Sequence, residues 1–292
     1  MAKVVSFINF KGGVGKTTLC VETAASLAGR FNAKVLLIDL DPQTNATLSL
    51  MTEKEWETLA STKGTLREFF AACYDGKPFD LTSIRYEYNK HPLGKNLHLI
   101  PSHLELFGMD LQLATKFGHS NIEAKVFLKN ALNALSSQYD FILIDCPPNI
   151  YLATQNGLFA SEHYVVVALP EYLSTLGLAH IQKSIIGIFE LSNQLLKKIA
   201  GHSIDAPSLM GIIFNRVRYK ARGTSNEEAI MSQIRARYGD TVFENWVSQS
   251  TLIPERAEQK VPIALSGYAT DRDYEQQVRS VAEEFYERIT RP

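Results

Sequence analysis

Residues 3–18 read KVVSFINFKGGVGKTT, a short apolar segment that runs directly into a glycine-rich loop. The segment is apolar nearly throughout, which is typical of a strand covered on both faces. A glycine-rich loop between such a strand and a helix lets backbone amides and the helix N-terminus face phosphate oxygens. The stretch therefore predicts a phosphate-binding loop made of Lys11, Gly12, Gly13, Val14, Gly15, Lys16, Thr17 and Thr18.

The lysines and the first threonine of this loop have separate predicted tasks. Lys16 is placed to reach the β- and γ-phosphates of a nucleotide, and the Thr17 hydroxyl to bind Mg²⁺. Lys11 directly follows the position at which the common GxxxxGK loop has its first glycine, which is Phe10 here, and it adds a second lysine to the loop. A second cation crowds this site electrostatically unless it pairs with phosphate. Lys11 is therefore expected to contact a nucleotide, its own or that of a second subunit; the alternative is a solvated lysine at a loop tip.

The rest of the chain alternates apolar runs of strand length with longer helical patterns, which predicts an α/β fold with a doubly wound, mostly parallel sheet. The predicted strands are residues 3–8, 34–40, 97–100, 141–145, 163–169 and 208–214, with 250–253 as a further candidate. The predicted helices are residues 17–31, 66–74, 104–116, 121–136, 175–198, 226–238 and 271–289. Ser102 and Glu105 form a capping-box pattern ahead of the third helix. We expect one domain over residues 1–292, with 52–95 as an irregular, polar elaboration of the sheet.

Composition excludes several classes of protein. The 292 residues carry 30 basic and 31 acidic side chains, which excludes a uniformly basic nucleic-acid coat but permits a local basic patch. No apolar run approaches the roughly 18–20 residues of a membrane span, and the apolar start is too short for a secretory signal. Cys20, Cys73 and Cys146 are far apart and odd in number, which is typical of reduced thiols in a cytoplasmic protein.

Three carboxylates follow apolar strands. Asp39, Asp41 and Asp145 all lie where a predicted strand ends, and that edge of an open parallel sheet is where ligands bind. An unpaired carboxylate is costly to bury, so each needs Mg²⁺, the water around it or a hydrogen-bond donor. The spacing alone does not assign separate roles to Asp39 and Asp41, because residues two apart on a strand share a face.

At this point the chain resembles the ParA/MinD ATPase family, whose phosphate loop is a deviant Walker A motif with an extra lysine. The matching motifs follow the family order: KGGVGKTT at 11–18, LLIDLDPQ at 36–43, FILIDCPP at 141–148, LPEY at 169–172, IFNR at 213–216, IP at 253–254 and VPI at 261–263. They make the resemblance strong for the ParA branch. Thr44 departs from the pattern, because the family usually has glycine there and threonine restricts the backbone.

The resemblance implies roles for individual residues. It implies that Lys11, Lys16 and Asp41 are catalytic, with Asp41 orienting the attacking water. Thr17, Asp39 and Asp145 are then near Mg²⁺, and Asn215 and Pro254 bind the adenine side of ATP. In the family the deviant lysine crosses a face-to-face dimer to the partner's nucleotide, so Lys11 is expected to do the same.

The same resemblance implies a function and partners. We expect an ATPase that dimerises on binding ATP and Mg²⁺, binds DNA nonspecifically and hydrolyses ATP when a ParB-like adaptor stimulates it. Such a switch would partition a plasmid or chromosome, or position another cargo, in the cytoplasm, and would associate with the nucleoid when ATP-bound.

A local charge asymmetry points to the DNA surface. The window 216–237 holds six basic side chains against two acidic ones, within a nearly neutral chain. Such a patch is typical of salt-sensitive, sequence-tolerant contact with phosphates. The alternative is a solvated protein face. The candidates for DNA contact are Arg218, Lys220, Arg222, Arg235 and Arg237.

Two other functions share the loop. A MinD-like protein would bind membrane through a basic amphipathic C-terminal helix, and residues 278–289 do carry an apolar stripe. Residues 271–292, however, hold four basic and six acidic side chains, which repel anionic lipid, so we expect the stripe to be core and no membrane to be bound. A P-loop small-molecule kinase or ligase would need an acceptor pocket, for which no motif is present.

Overall fold

The computed structural model describes residues 1–118, 121–218, 226–250, 258–266 and 272–291. Its strands form a seven-stranded sheet in the order β3–β4–β2–β5–β1–β6–β7. All pairings are parallel except the short β3, which runs antiparallel to β4 at one edge. The strands are β1 (Lys3–Ile8), β2 (Val35–Asp39), β3 (Tyr86–Glu87), β4 (Leu97–Ile100), β5 (Phe141–Asp145), β6 (His163–Ala168) and β7 (Ser208–Phe214).

Eleven α-helices lie within the described ranges. They are α1 (Lys16–Arg30), α2 (Asn45–Leu50), α3 (Glu53–Thr62), α4 (Leu66–Asp75), α5 (Leu106–Phe117), α6 (Phe127–Asn133), α7 (Leu152–Ala160), α8 (Tyr172–Ala200), α9 (Asn226–Tyr238), α10 (Ile263–Ser266) and α11 (Arg272–Thr290). No helix in these ranges is both long enough and apolar enough to span a bilayer.

The core forms two layers, one on each face of the sheet. Along β5, Ile142 and Ile144 pack into one layer, and Phe141 and Leu143 pack into the other. Helices α4 to α9 cover the first layer, whereas α1 and α11 cover the second. Both faces of the sheet are therefore buried, which confirms the predicted doubly wound α/β fold.

The apolar stripe of the C-terminal helix belongs to this core. In α11, Val278, Val281 and Phe285 are at most 2% exposed, and Phe285 stacks on Phe7 of β1 with ring centroids 5.9 Å apart. Tyr286 stacks on Phe31 at the end of α1. The prediction that this stripe is core is confirmed.

The segment 52–95 is more regular than expected. Helices α3 and α4 each begin with a complete capping box, Thr52 with Glu55 and Thr65 with Glu68. Both follow the S/T-x-x-E pattern, which satisfies free N–H groups at the start of a helix. The segment then contributes β3 to the sheet edge, so it is a helical extension of the fold.

Two local predictions differ from the structure, and a third is not tested by it. The box predicted from Ser102 does not form, because the Ser102 N–H donates to Thr47 Oγ1 at 3.0 Å and α5 begins only at Leu106. The helix expected over 121–136 is shorter, with a 3-10 turn at Glu123–Lys125 before α6. The candidate strand 250–253 lies almost wholly outside the described residues.

Candidate nucleotide-binding site

The glycine loop between β1 and α1 depends on backbone angles that favour glycine. Gly13 and Gly15 have φ values of +76° and +82°. At Gly15 a Cβ atom would lie 2.0 Å from Asn215 Nδ2, so a side chain there would displace Asn215 as well as strain the backbone. Gly15 precedes α1, which begins at Lys16 with no side chain capping its N-terminus. The first amides of α1 can therefore face a phosphate.

The end of β7 braces this loop. Asn215 is 1% exposed, and its Nδ2 donates to the Val14 carbonyl at 2.9 Å. Its Oδ1 is buried and has no hydrogen-bond partner among the described residues, which leaves one acceptor for a ligand. Arg216 donates to the Gly13 carbonyl at 2.8 Å. Pro254, the other residue predicted on the adenine side, lies outside the described residues.

An open cleft of about 680 Å³ contains the whole loop. All eight predicted loop residues line it, together with Asp41 and Asn215. Asn45, Leu48 and Ser49 of α2 form another wall. Glu258 and Lys260 also line the cleft, although no motif predicted them; the VPI motif at 261–263 directly follows them.

Lys16 forms a buried ion pair with Asp145. The distance from Lys16 Nζ to Asp145 Oδ1 is 2.8 Å, and the two side chains are 6% and 0% exposed. Burial lowers the pKa of the lysine, but the charge and the hydrogen bond of Asp145 outweigh burial, so the net pKa is raised above its ordinary value. The second oxygen, Asp145 Oδ2, is buried without a partner in the described part of the chain.

Asp39 is the strand neighbour of Asp145 and is fully buried. Its carboxylate accepts from the Thr47 N–H at 2.8 Å, the Thr47 hydroxyl at 2.7 Å and the Asp41 N–H at 3.1 Å. Burial is the main reason that the pKa of Asp39 is raised; the nearby Asp145 charge adds to it, and the Thr47 hydrogen bonds oppose it. A cation between the two carboxylates would relieve their repulsion.

Asp41 has a different position, because it lines the cleft. Its Oδ1 accepts from the Gln43 N–H at 3.0 Å. Burial raises the pKa of Asp41, although the Gln43 hydrogen bond and Lys16 oppose the shift. The structure therefore separates the two carboxylates that spacing alone could not: Asp41 faces the ligand space and Asp39 lies buried at the strand end.

Thr44 has a left-handed backbone between Asp41 and α2. Its φ is +55° and ψ is 22°, and its side chain is 3% exposed. This conformation is strained for a β-branched residue, by roughly 1–2 kcal/mol. The backbone restriction expected at Thr44, where the family usually has glycine, is therefore present as strain in the turn before α2.

The residues predicted to hold Mg²⁺ suit that ion. Thr17 lines the cleft, and Asp145 offers a buried oxygen without a partner. Mg²⁺ is usually held by one or two protein groups plus waters and substrate phosphates. In the described residues no group of three or more His, Cys, Asp or Glu side chains is placed to hold a metal ion.

Lys11 lies at the rim of the cleft with its backbone fixed. Its N–H donates to Asn9 Oδ1 at 2.8 Å, and Asn9 Nδ2 donates to the Val167 carbonyl at 2.6 Å. The side chain is about half exposed, and its ammonium pairs with Glu171 ahead of α8. The loop therefore presents this cation at the surface beside the phosphate site.

Three of the five predicted DNA-contact residues lie in the described ranges, and these three differ in exposure. Arg218 and Arg237 are exposed. Arg235 is partly buried, and its guanidinium donates to the carbonyls of Phe243 at 3.4 Å and Glu244 at 3.3 Å. Lys220 and Arg222 lie outside the described residues.

A parallel sheet whose first strand leads into such a loop, with strand-end carboxylates beside it, defines a P-loop nucleotide-binding protein. A family model described as an AAA domain, AAA_31, matches residues 2–198. The chromosome-partitioning ATPase Soj of Treponema pallidum is 30% identical over 290 residues, covering 96% of this chain and 97% of that protein. The sporulation initiation inhibitor protein Soj of Bacillus subtilis is 29% identical over 267 residues, with 91% of each protein covered.

The chain belongs to the ParA/MinD family of P-loop ATPases. The cofactors predicted from the sequence, ATP and Mg²⁺, agree with this membership.

Solved structures share the fold. Apo McdA from Cyanothece superposes with a TM-score of 0.72 at 22% identity, covering 98% of this chain and 100% of that one. A putative plasmid partition protein from Borrelia burgdorferi bound to AMPPNP gives 0.70 at 22% identity, with 98% and 99% covered. Cobyrinic acid a,c-diamide synthase from Mycobacterium smegmatis, with bound ATP analogue and magnesium, gives 0.68 at 22% identity, with 97% and 93% covered.

Proposed function

We propose that this protein is a ParA-type ATPase that dimerises when it binds ATP and Mg²⁺, binds DNA without sequence preference and releases DNA after a partner stimulates hydrolysis. The observation that carries the proposal is Lys11, a second loop cation held at the open rim of a phosphate cleft beside Lys16. The function of the protein would be to position a cargo, most simply a plasmid or chromosome, in the cytoplasm and on the nucleoid.

The cleft supplies the parts that phosphoryl transfer needs. The loop amides and Lys16 are placed to neutralise the phosphate chain, and Asp41 lies in the same cleft to orient a water. Thr17 and Asp145, with Asp39 beside them, would hold Mg²⁺, which would supply positive charge against the phosphates. The unpaired Asn215 oxygen can accept from the amino group of adenine.

Dimerisation follows from the position of Lys11. In the free protomer its ammonium pairs with Glu171 at a site that is about half exposed. Such a pair contributes at most about 1 kcal/mol, so a nucleotide phosphate from a second subunit can replace it. The γ-phosphate then supplies the contact that distinguishes the dimer from the monomer.

DNA binding is assigned to the exposed basic side chains at the end of β7 and in α9. Arg218 and Arg237 are available, and Lys220 and Arg222 are sequence neighbours of Arg218. Two copies in a dimer would double the number of phosphate contacts, which is why ATP would control DNA affinity. Membership of the ParA/MinD family and the chromosome-partitioning relative Soj of Treponema pallidum support the proposal that a ParB-like adaptor stimulates hydrolysis.

The two rival functions have less support. The apolar stripe of α11 is packed in the core, so it does not present an amphipathic face to lipid. The likeness to an amide synthase keeps a P-loop ligase as an alternative. That alternative predicts phosphate release that depends on a metabolite and is indifferent to DNA.

The proposal is tested by measuring DNA retention and phosphate release in the same preparation. With Mg²⁺ and a slowly hydrolysed ATP analogue, the protein should bind duplexes of unrelated sequence equally, and with ADP it should release them. Equal DNA binding in ATP analogue, ADP and nucleotide-free buffer would reject the nucleotide switch. A vesicle-flotation assay under the same conditions should show no ATP-dependent membrane binding.

A further inference from the structure

A continuous hydrogen-bonded path begins at Asp39, the last residue of β2, beside the proposed Mg²⁺ site. Thr47 in α2 gives this carboxylate two hydrogen bonds, from its N–H at 2.8 Å and from its hydroxyl at 2.7 Å. Both side chains are 0% exposed, so no water competes for these contacts. The position of the Asp39 carboxylate therefore depends on α2.

The same threonine hydroxyl continues the path to the loop after β4. Thr47 Oγ1 accepts from the Ser102 N–H at 3.0 Å, although the two residues are 55 positions apart. The Ser102 carbonyl accepts from the indole N–H of Trp56 in α3 at 3.0 Å. One hydroxyl thus binds Asp39 as a donor and Ser102 as an acceptor, which a valine of the same shape cannot do.

The loop around Ser102 joins three helices of the fold. It binds α2 through Thr47, α3 through Trp56, and α4 because the Pro101 carbonyl accepts from the Leu66 N–H at 3.0 Å. The path ends at the surface, where Trp56 stacks on His103 with ring centroids 5.2 Å apart. Both rings are partly exposed.

We propose that Thr47 and Ser102 are positioning residues for the Asp39 carboxylate. Through the same hydrogen bonds, the surroundings of Trp56 at the protein surface change when Mg²⁺ and ATP bind. The proposal rests on the ATP and Mg²⁺ site proposed above. Because Asp41 and α2 line the cleft, movement of α2 on nucleotide binding would pull on Ser102 and change the surroundings of the Trp56 indole.

The test compares Thr47→Val with the matched control Thr47→Ser. Removing the hydroxyl should raise the Mg²⁺ concentration for half-saturation of the ATP-bound protein by roughly 10- to 100-fold, as loss of an outer-sphere hydrogen bond does at other metal sites. Serine keeps the hydroxyl and should stay within about threefold of the parent. Binding of ATP without Mg²⁺ is measured in parallel with a fluorescent ATP analogue and should change little in either variant.

Trp56 emission provides a second readout besides metal affinity. The Mg²⁺-dependent difference spectrum between the parent and Trp56→Phe should isolate the Trp56 signal, which should change on adding Mg²⁺ and ATP and lose that change in Thr47→Val. Trp56→Phe itself removes one neutral hydrogen bond and should raise the Mg²⁺ half-saturation by about 2- to 12-fold. Because Trp56→Phe lacks the Trp56 signal, its Mg²⁺ half-saturation is measured with the fluorescent ATP analogue. This variant therefore keeps the proposal testable even if Thr47→Val does not fold.

The outcomes separate the two proposals. If the parent binds ATP and Mg²⁺ but Thr47→Val and Thr47→Ser need the same Mg²⁺ concentration, the positioning role is wrong while the proposed function stands. A Trp56 signal indifferent to Mg²⁺ and ATP in protein shown to bind both would reject the path to the surface. If the parent binds no nucleotide, the proposed function fails and this inference fails with it.

Discussion

Three glycines of one loop allow backbone strain and steric contact to be measured separately. Gly12 has an ordinary φ and open space around the position of a Cβ atom. Gly13 has a φ of +76° but also open space, whereas Gly15 combines a φ of +82° with a Cβ position 2.0 Å from Asn215 Nδ2. The loss of stability on substitution by alanine should therefore increase from Gly12 to Gly13 to Gly15.

The magnitudes follow from the geometry. Gly12→Ala should be neutral or should stabilise by about 0.4–1 kcal/mol, because it reduces the freedom of the unfolded chain. Gly13→Ala should cost about 1–2 kcal/mol for left-handed backbone. Gly15→Ala adds displacement of Asn215 and loss of its hydrogen bond to Val14, about 0.5–1.5 kcal/mol, for a total of about 1.5–3.5 kcal/mol.

The assay is urea unfolding without nucleotide or Mg²⁺, so that only folding is measured. The free energies of unfolding of the parent and the three alanine variants are compared at one temperature and pH. Equal free energies for Gly12→Ala and Gly15→Ala would refute the assigned strain and contact, as would a Gly13→Ala variant less stable than Gly15→Ala.

Three further predictions concern catalysis, DNA and pH. Asp41→Ala should bind ATP and remain dimeric because it cannot orient the attacking water; undiminished phosphate release in a turnover assay would remove Asp41 from catalysis. Replacing Arg218 and Arg237 by alanine should lower the slope of log K for DNA against log salt by about 2 per protomer, whereas Arg235→Ala should mainly lower stability, because its guanidinium binds main-chain carbonyls. A double variant with the parent's salt slope would exclude these two residues. Burial raises the pKa of Asp110 to about 6, so this carboxyl lowers stability progressively as the pH rises from about 4 to about 6; Asp110→Asn should be more stable than the parent by about 1–3 kcal/mol at pH 7 in urea unfolding, and the difference should vanish towards pH 4. A pH-independent difference would contradict the shifted pKa.

Local sequence was sufficient for the sheet and the loop. Unbroken apolar runs gave six strands within one or two residues, because a strand buried on both faces needs apolar side chains throughout. The glycine-rich loop was predicted between strand and helix, and Gly13 and Gly15 adopt the left-handed backbone that glycine favours there. Helix α4 was predicted over 66–74, but the polar character of the surrounding segment concealed α3, although the S/T-x-x-E pattern of its capping box is present at Thr52.

Contacts between distant residues could not be predicted in the same way. Ser102 fits a capping pattern, yet its N–H is taken by Thr47, 55 residues earlier. Arg235 looked available for DNA, but carbonyls eight and nine residues later hold its guanidinium. Lys260 reaches the cleft wall from 212 residues away, where its ammonium donates to the Leu48 carbonyl. Each of these contacts follows from the packing of the whole chain.

Sedimentation velocity of the parent and Lys11→Ala, with Mg²⁺ and a slowly hydrolysed ATP analogue, tests the central claim most directly. The Lys11 side chain is half exposed and pairs only with Glu171 among the described residues, so its removal should leave the fold intact, with little loss of ATP affinity. The parent should sediment as a dimer with the analogue and as a monomer with ADP, and Lys11→Ala should stay monomeric with nucleotide bound. A Lys11→Ala dimer as abundant as the parent dimer, or a nucleotide-loaded parent that remains monomeric, would contradict the account.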